Sequence, residues 1–423
     1  MVDISVIGSG YVGIVTGLGF AELGNRVIFV DIDTKKVEAI NNSTPPVFEP
    51  HIEDLMKRNR GRYHATDNYD EAILNSQITF ICVGTPSNHD GSINLDYVKS
   101  AAKNVGKVLE EKDRFHVVVV KSTVVPGTTE DVIKPILEQN SNKEAFYDFG
   151  LAVNPEFLRE GSAVDDFFNP DRIVVGVKDE NSKNILNKLY SSFNCPKLFV
   201  DLKTAEMIKY ASNAFLATKI SFANEIGNIC KKLGIDTYEV FRGVGLDHRI
   251  NPSFFRAGIG FGGSCFPKDI RALISKAEEL GENPEILKSV MRLNEEQPLR
   301  LVRILKKYVP DLKNMTIGVL GLAFKPDTDD VRESRAIPII EKLIEEGAKV
   351  IAYDPVANEN FKEIFPHIEY TANVEEVLNA EAILILTEWE EFEKLEYTGK
   401  IVIDGRRIEK AKKEAKIYEG VCW

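Results

Sequence analysis

Ile4-Ser5-Val6-Ile7-Gly8-Ser9-Gly10-Tyr11-Val12-Gly13 opens a pattern that runs on through a helix-like stretch to Leu23 and a turn at Gly24-Asn25. It continues into a second β-rich run, Val27 to Val30, that closes on Asp31. This is a βαβ unit with a G-x-G-x-x-G turn and an acid at the end of its second strand. Glycines at 8, 10 and 13 admit a pyrophosphate to the helix N-terminus, where backbone amides and the helix dipole favour anions. Asp31 would accept the ribose hydroxyls and repel a 2′-phosphate, so NAD is expected rather than NADP; Lys36 softens that exclusion. A turn used only for packing would need no acid in that place.

Outward from this unit, β-rich runs recur. Ile78 to Val83 ends in Gly84-Thr85-Pro86, Val117 to Val120 ends in Lys121-Ser122-Thr123, and Phe149 to Val153 ends in Asn154-Pro155-Glu156. Open parallel sheets bind ligands at the carboxyl ends of their strands, so three polar strand ends read together as a site rim. Each alone could be turn chemistry. Glu156 and Glu160 are four residues apart; a helix would put them on one face, an exposed charged turn would not, and spacing leaves both open.

Gly258-Ile259-Gly260-Phe261-Gly262-Gly263-Ser264-Cys265-Phe266-Pro267-Lys268-Asp269 crowds four glycines around one cysteine, ahead of an apolar-periodic segment that reads as a helix. Glycine lets a backbone approach a ligand and turn successive amides into one concavity. A cysteine at a helix start with a lysine three residues on has two reasons to ionise. A buried packing cysteine would need neither the glycines nor the Lys-Asp pair. The stretch therefore reads as a thiolate nucleophile among oxyanion donors.

Between these two stretches, Leu202 to Leu233 is helix-like almost without interruption, with Asp201 as candidate N-cap and Gly234 as stop. It is far longer than the usual helix of about 11–12 residues. Its apolar residues cover much of its circumference, so it should connect two domains and pack against its copy in a homodimer. Lys209 and Asn213 share a face and point either to solvent or into a cleft. Pro284 to Tyr308 is a second helical region, with Asn283 as expected cap and a kink at Pro298. After a linker at Asp311 to Asn314, an α/β pattern restarts. Thr316 to Leu320 is followed by the turn Gly321-Leu322-Ala323-Phe324-Lys325, and Val350 to Tyr353 ends in Asp354. Further strands are Ala382 to Leu386 and Ile401 to Ile403. Lys325, Arg332, Arg335, Arg406 and Arg407 gather at strand ends and loops here, which suggests a phosphate-bearing ligand.

The chain has 423 residues, enough for two or three domains, and a formal net charge of −12, which argues against nucleic acid or an anionic membrane as the main partner. Its five cysteines (82, 195, 230, 265 and 422) are odd in number, scattered and without Cys-x-x-Cys, which fits a reducing cytoplasm and argues against a zinc cage. No transmembrane segment is expected. The apolar start carries Asp3, lacks a basic region and is broken by glycines, so it is not read as a signal peptide. Two nucleotide-type domains, a long connector and a reactive thiol imply a dehydrogenase that oxidises an aldehyde through a thiohemiacetal and a thioester.

These motifs resemble the UDP-glucose/GDP-mannose dehydrogenase family over essentially the whole chain. The resemblance rests on Gly8–Gly13, Lys121–Val124, Asn154–Gly161, Lys209–Asn213, Gly260–Asp269, Lys325–Ser334 and Asp404–Arg407. It implies two successive NAD-dependent oxidations at C6 of a nucleotide sugar. Cys265 would be the nucleophile, Lys209 would stabilise the oxyanion, and Asn213 and Asp269 would position the alcohol and a water. Thr123 and Glu156 would orient water for proton transfer and hydrolysis. Cofactor contacts would fall to Gly8, Gly10, Tyr11, Val12, Gly13, Asp31, Lys36, Thr85, Thr123, Glu160, Lys268 and Arg332. Substrate contacts would come from Glu156, Phe157, Leu158, Arg159, Glu160, Lys209 and Asn213. Phe254, Phe255, Arg256, Ala257, Gly258, Gly262, Lys325, Arg406 and Arg407 would add to them, and Arg249 would reach a neighbouring subunit's substrate.

The resemblance further implies two Rossmann-like doubly wound parallel-sheet α/β domains joined by a long central helix. The expected division is 1–200 for NAD, 201–310 for the connector, the dimer contact and the cysteine loop, and 311–423 for the UDP-sugar. Asn154-Pro155-Glu156-Phe157 resembles the form of the glucose and mannose enzymes more than that of the N-acetyl ones, and Gly161-Ser162-Ala163 after it resembles the UDP-glucose branch; GDP-mannose and a UDP-N-acetylhexosamine stay open. A two-electron β-hydroxyacid dehydrogenase would have no use for Cys265 or the last domain. A non-catalytic nucleotide-binding protein would not need Cys265, Lys209 and Asp269 together. A homodimer through the central helix, or a higher oligomer, is the expected assembly.

Overall fold

The computed structural model describes all residues, Met1–Trp423, in two compact units, Met1–Ala211 and Ser212–Trp423. The first unit is built on an eight-stranded sheet. Its strands are β1 (Asp3–Ile7), β2 (Arg26–Val30), β3 (Tyr63–Thr66), β4 (Ile78–Ile81), β5 (Val117–Val120), β6 (Gly150–Val153), β7 (Ile173–Val177) and β8 (Lys197–Val200). They are ordered β3-β2-β1-β4-β5-β6-β7-β8. All pairs are parallel except β6–β7, which register antiparallel through Ala152–Val177 and Val153–Gly176. The sheet is therefore parallel with one reversed junction, which the strand-run pattern did not indicate.

The central strands are largely apolar because both faces are covered, whereas the edge strands β3 and β8 are partly exposed and carry His64 and Lys197. Val117 and Val119 join the core on one face while Val118 and Val120 join that on the other. Successive side chains of a strand point to opposite faces, so a continuous Val run serves two cores at once. Between β1 and β2 runs the helix Tyr11–Glu22, buried at every position from Gly13 to Ala21.

The second unit carries a six-stranded, all-parallel sheet: β9 (Thr316–Leu320), β10 (Lys349–Tyr353), β11 (Glu369–Tyr370), β12 (Ala382–Ile385), β13 (Ile401–Asp404) and β14 (Ile417–Gly420). Its order, β11-β10-β9-β12-β13-β14, is the 3-2-1-4-5-6 order of a dinucleotide-type sheet. The topological switch falls between β9 and β12, beside the turn Gly321–Lys325.

A 32-residue helix, Leu202–Leu233, begins in the first unit and continues into the second. Asp201 caps it as expected, accepting from the Thr204 amide at 2.9 Å, and Gly234 ends it at φ +68°. Pro298 divides the later helical region into Glu285–Glu296 and Pro298–Tyr308, while Gln297 keeps helical angles. Asn283 is not the cap there. Pro284 holds that position, and the Asn283 amide donates to the Glu285 carboxylate instead.

Candidate active site

At the carboxyl end of β1, Gly8 takes φ +93° and donates its amide to Val30 O at 2.7 Å. A Cβ on Gly13 would lie 1.9 Å from Gly8 O, so the turn and helix close only on glycine, whereas a Cβ on Gly10 would meet nothing within 4 Å. One glycine makes the closure and the other leaves open space before the helix N-terminus, which fits the approach of a pyrophosphate. Asp31 Oδ2 accepts from the Ser9 amide at 2.7 Å and the Ser9 hydroxyl at 2.6 Å, and Oδ1 accepts from Asp33 N at 3.0 Å. Burial pushes this carboxyl up, but the Ser9 and Asp33 bonds and the Lys36 charge outweigh it and hold Asp31 below its usual value. It is thus an oriented anion at the end of β2. Thr85 Oγ1 donates to Thr123 O at 3.0 Å, joining the ends of β4 and β5.

Beyond β6 the chain is neither helical nor an exposed turn. Asn154–Arg159 belongs to no helix or strand and Glu160 stands in a half-buried turn, so Glu156 and Glu160 share no helix face. Glu156 is buried. Its Oε1 accepts from Lys209 Nζ at 2.8 Å and its Oε2 from Leu158 N at 2.6 Å. Burial raises its pKa, yet Lys209, the Leu158 amide and the Lys121 charge bring it below the ordinary value. Lys121 is itself buried, donating to Asn154 Oδ1 at 2.8 Å, which also receives the Tyr190 hydroxyl at 2.6 Å. Sequence reasoning named Lys209 and Glu156 but not their partnership. It placed Lys121 on the polar rim at the end of a valine strand but gave it no role of its own. Phe157 sits between the Arg172 guanidinium, 4.1 Å from the ring centre, and Lys209 Nζ at 5.5 Å. Arg159 is paired with Asp166.

In the second unit, the cysteine loop is held from both sides. Asn294 accepts from Phe261 N at 2.8 Å and donates back to Phe261 O at 2.9 Å. Gly258 N donates to Asn224 Oδ1 at 2.7 Å, and Gln297 Nε2 donates to Gly258 O at 2.9 Å. Gly263 N reaches Arg332 O at 3.0 Å. A Cβ on Gly262 would lie 2.3 Å from Glu333 O, and one on Gly258 2.6 Å from Gly405 O, so both glycines are required by close backbone approach.

The loop delivers Cys265, exposed, to the N-cap position of the helix Phe266–Glu279, as the apolar period predicts. Cys82, Cys230 and Cys422 are buried. One turn into that helix, Asp269 is buried and accepts from Asn213 Nδ2 at 2.7 Å and from Lys268 Nζ at 2.6 Å. Lys268 is thus turned onto Asp269. Lys209 and Asn213, one helical turn apart, each meet a buried carboxylate, Glu156 and Asp269.

The basic set is largely engaged by the protein. Arg335 donates to Glu333 O, Glu333 pairs with Arg271 at 2.6 Å, and Arg332 is bidentate with Asp330. Arg407 pairs with Asp236 at 3.1 Å and stacks on Tyr238, while Arg406 donates to Leu386 O at 2.8 Å and to Gly260 O at 3.4 Å. Arg406 therefore ties the end of β13 to the glycine loop. Lys325 lies over the Phe324 ring. Phe255 stacks on Phe241 and lies under Lys219, Phe254 takes φ +71°, and Arg256 lies 3.9 Å from Glu388. Arg249 stands on an exposed turn, paired with Asp247. Asp354, placed like the ribose acid of a second nucleotide sheet, instead accepts from Leu322 N, Ala323 N and Trp389 Nε1 within its own unit.

A glycine turn with an oriented acid, a second sheet in dinucleotide order and a cysteine-capped helix define the class: an NAD-dependent dehydrogenase with a second nucleotide-type domain. Residues 2–194, 203–296 and 318–411 match in turn the NAD binding, central and UDP binding domains of the UDP-glucose/GDP-mannose dehydrogenase family, and the chain belongs to that family. A UDP-glucose 6-dehydrogenase of Haloferax volcanii is 47% identical over 418 residues, covering 96% of this chain and 97% of the other. A GDP-mannose 6-dehydrogenase of Pseudomonas putida is 40% identical, covering 99% and 100%. The structure of a UDP-glucose dehydrogenase from Pyrobaculum islandicum superposes with a TM-score of 0.96 at 47% identity, covering 100% of this chain and 98% of that one.

Proposed function

We propose that this dehydrogenase oxidises C6 of UDP-glucose twice, from alcohol through aldehyde to carboxylate, giving UDP-glucuronate. NAD, when bound, supplies the hydride acceptor for each oxidation. In the reading the residues support best, the Cys265 sulfur adds to the aldehyde carbon to form a thiohemiacetal. Loss of the second hydride and of the hydroxyl proton leaves a thioester. Water then adds to the acyl carbon, the C–S bond breaks and the thiol is restored. Lys209 stabilises the developing oxyanion, Asn213 and Asp269 hold the alcohol and a water, and Thr123 and Glu156 orient water for the proton transfers. Gly8, Gly10, Tyr11, Val12, Gly13, Asp31, Lys36, Thr85, Glu160, Lys268 and Arg332 serve the cofactor. Phe254–Gly258, Gly262, Phe157–Arg159, Arg249, Lys325, Arg406 and Arg407 serve the sugar nucleotide. The three parts 1–200, 201–310 and 311–423 carry the cofactor, the thiol and the uridine diphosphate respectively.

The observation that carries this reading is Cys265, exposed at the head of a helix whose first turn holds Asp269 bonded to Asn213. A two-electron dehydrogenase has no task for that thiol. UDP-glucose is favoured over GDP-mannose because the UDP-glucose 6-dehydrogenase relative is 47% identical and the GDP-mannose relative 40%. The test is NADH formed per sugar consumed, in excess NAD, with Cys265→Ser alongside. Two NADH per UDP-glucose, with the variant unable to complete turnover, is expected. One NADH per sugar overturns the four-electron reading, and two with GDP-mannose but none with UDP-glucose overturns the substrate.

The assembly is a homodimer through the long helix, with a higher oligomer open to it. Phe215, Phe222 and Ile229 recur every seventh residue and are 65%, 48% and 53% exposed in the single chain, a face that a second copy would cover. Phe215→Glu with Phe222→Glu should halve the mass measured by sedimentation equilibrium. A wild-type monomer would overturn the assembly. No helix is long and apolar enough to cross a membrane. The scattered cysteines support a cytoplasmic location.

A further inference from the structure

Glu49 lies outside the G-x-G-x-x-G turn, outside every strand end described above and outside the proposed machinery, yet its buried carboxylate gathers two remote segments of the first unit, at Tyr11 and at Gly161–Ala163. Its Oε2 accepts from the Tyr11 hydroxyl and from Gly161 N at 2.7 Å, and its Oε1 accepts from Ala163 N at 2.6 Å. The Tyr11 oxygen in turn accepts from Gly161 N at 2.8 Å. Burial and the Glu49 carboxylate raise the Tyr11 phenol well above its ordinary value, so it stays a donor. Gly161, at φ +81°, makes the turn that ends the stretch Glu156–Glu160.

Tyr11 is the first residue of the helix behind the glycine turn. Gly161 closes the segment that begins with the Lys209-paired Glu156. One carboxylate therefore sets the separation between the cofactor's turn and the segment proposed to carry water orientation and a cofactor contact. A carboxylate is suited to this because both its oxygens accept, and all of these donors are neutral and fixed.

We propose that Glu49 is a positioning residue that, through Tyr11, holds the Glu156–Gly161 segment in register with the dinucleotide turn. This rests on the proposed roles of Glu156 and Glu160. In Glu49→Gln the side-chain volume is kept, but an amide NH2 donor replaces one acceptor oxygen and faces N–H or O–H donors on that side. In Tyr11→Phe the ring is kept and only the hydroxyl link is lost.

The experiment measures the NAD dissociation constant without sugar, then kcat and KM for NAD, then the thermal midpoint, for Glu49→Gln, Tyr11→Phe and the double variant. The NAD dissociation constant and KM should rise about tenfold in each single variant, the scale of a lost charge-assisted hydrogen bond. The double variant should lose no more than the worse single one, because the two groups act as a unit. A lower midpoint with NAD constants within about twofold of wild type would make Glu49 a structural tie only and overturn the proposal, as would fully additive losses. Should Glu49→Gln fail to fold, Glu49→Asp, which keeps the charge but draws both oxygens back from the Gly161 and Ala163 amides, decides on the same NAD constants. Binding of NAD without sugar does not involve Cys265, so failure of the thioester reading would leave these constants unmoved and show only in NADH stoichiometry.

Discussion

Lys209 and Glu156, 53 residues apart in sequence, form a buried ion pair with Nζ 2.8 Å from Oε1. The pair joins the long helix to the segment after β6. The Glu156 carboxylate also takes the Leu158 amide and feels Lys121, so it answers to two ammonium groups.

The two halves of this pair are unequal. Glu156→Gln leaves two buried ammonium groups facing a neutral amide, and should cost about 3–5 kcal/mol of stability. Lys209→Met leaves the carboxylate with Lys121 and the Leu158 amide and should cost less. Urea unfolding midpoints of the two variants check the order; equal losses would refute it. Glu156 is held below its usual pKa, so the pair's contribution is present above the ordinary carboxylate range and is lost as pH falls through the depressed value.

Asp31 is fixed by both Ser9 donors and by Asp33 N, which leaves an oriented anion beside the expected ribose site. Asp31→Ala should lower kcat/KM for NAD by about 10- to 100-fold, the scale of a charge-assisted bond, while leaving that for NADP nearly unchanged. Steady-state kinetics with both cofactors would show the ratio narrowing. An unchanged ratio would mean that discrimination lies elsewhere.

Glu206 lies one turn before Lys209 on the same helix, and its buried carboxylate accepts from Gly127 N at 2.6 Å and Thr129 N at 2.9 Å. Burial dominates and pushes it up to about 7 even against these amide bonds. A carboxyl raised on folding stabilises fully below its unfolded value, and that contribution is lost as pH rises through the folded one. Wild type should therefore lose up to roughly 3 kcal/mol relative to Glu206→Gln between about pH 4.5 and 7. Denaturant unfolding of both proteins across that range measures the difference; parallel pH curves would exclude the titration.

Much of the site was legible because its signals are local. The Gly8–Gly13 turn, the Asp201 cap, the Gly234 stop and the Cys265 helix start depend on residues within a turn or two of one another. The paired identity of Lys209 and Asn213 was half legible: four-residue spacing puts them on one face, but nothing local names Glu156 and Asp269 as their partners. Asn154–Gly161 was ambiguous for the same reason, since its conformation is set by Lys209 and Glu49 rather than by its own spacing. The basic set at strand ends read as ligand-facing, whereas Arg332, Arg335 and Arg407 also meet protein acceptors that lie on loops or neighbouring elements.

The amino-acid sequence by itself determined two nucleotide-type α/β domains, a long connecting helix, an acid at the end of the second strand and a cysteine at a helix head. These follow from hydrophobic period, glycine spacing and caps, which act over a few residues. Only the tertiary structure decided that β7 runs against β6, that Asp354 takes the Leu322 and Ala323 amides and the Trp389 indole, and that Glu49, Lys121 and Glu206 are buried charges with fixed partners. A buried charge is tolerated only where donors or counter-charges converge on it, and those come from chain segments tens to more than a hundred residues away, whose meeting no local pattern encodes.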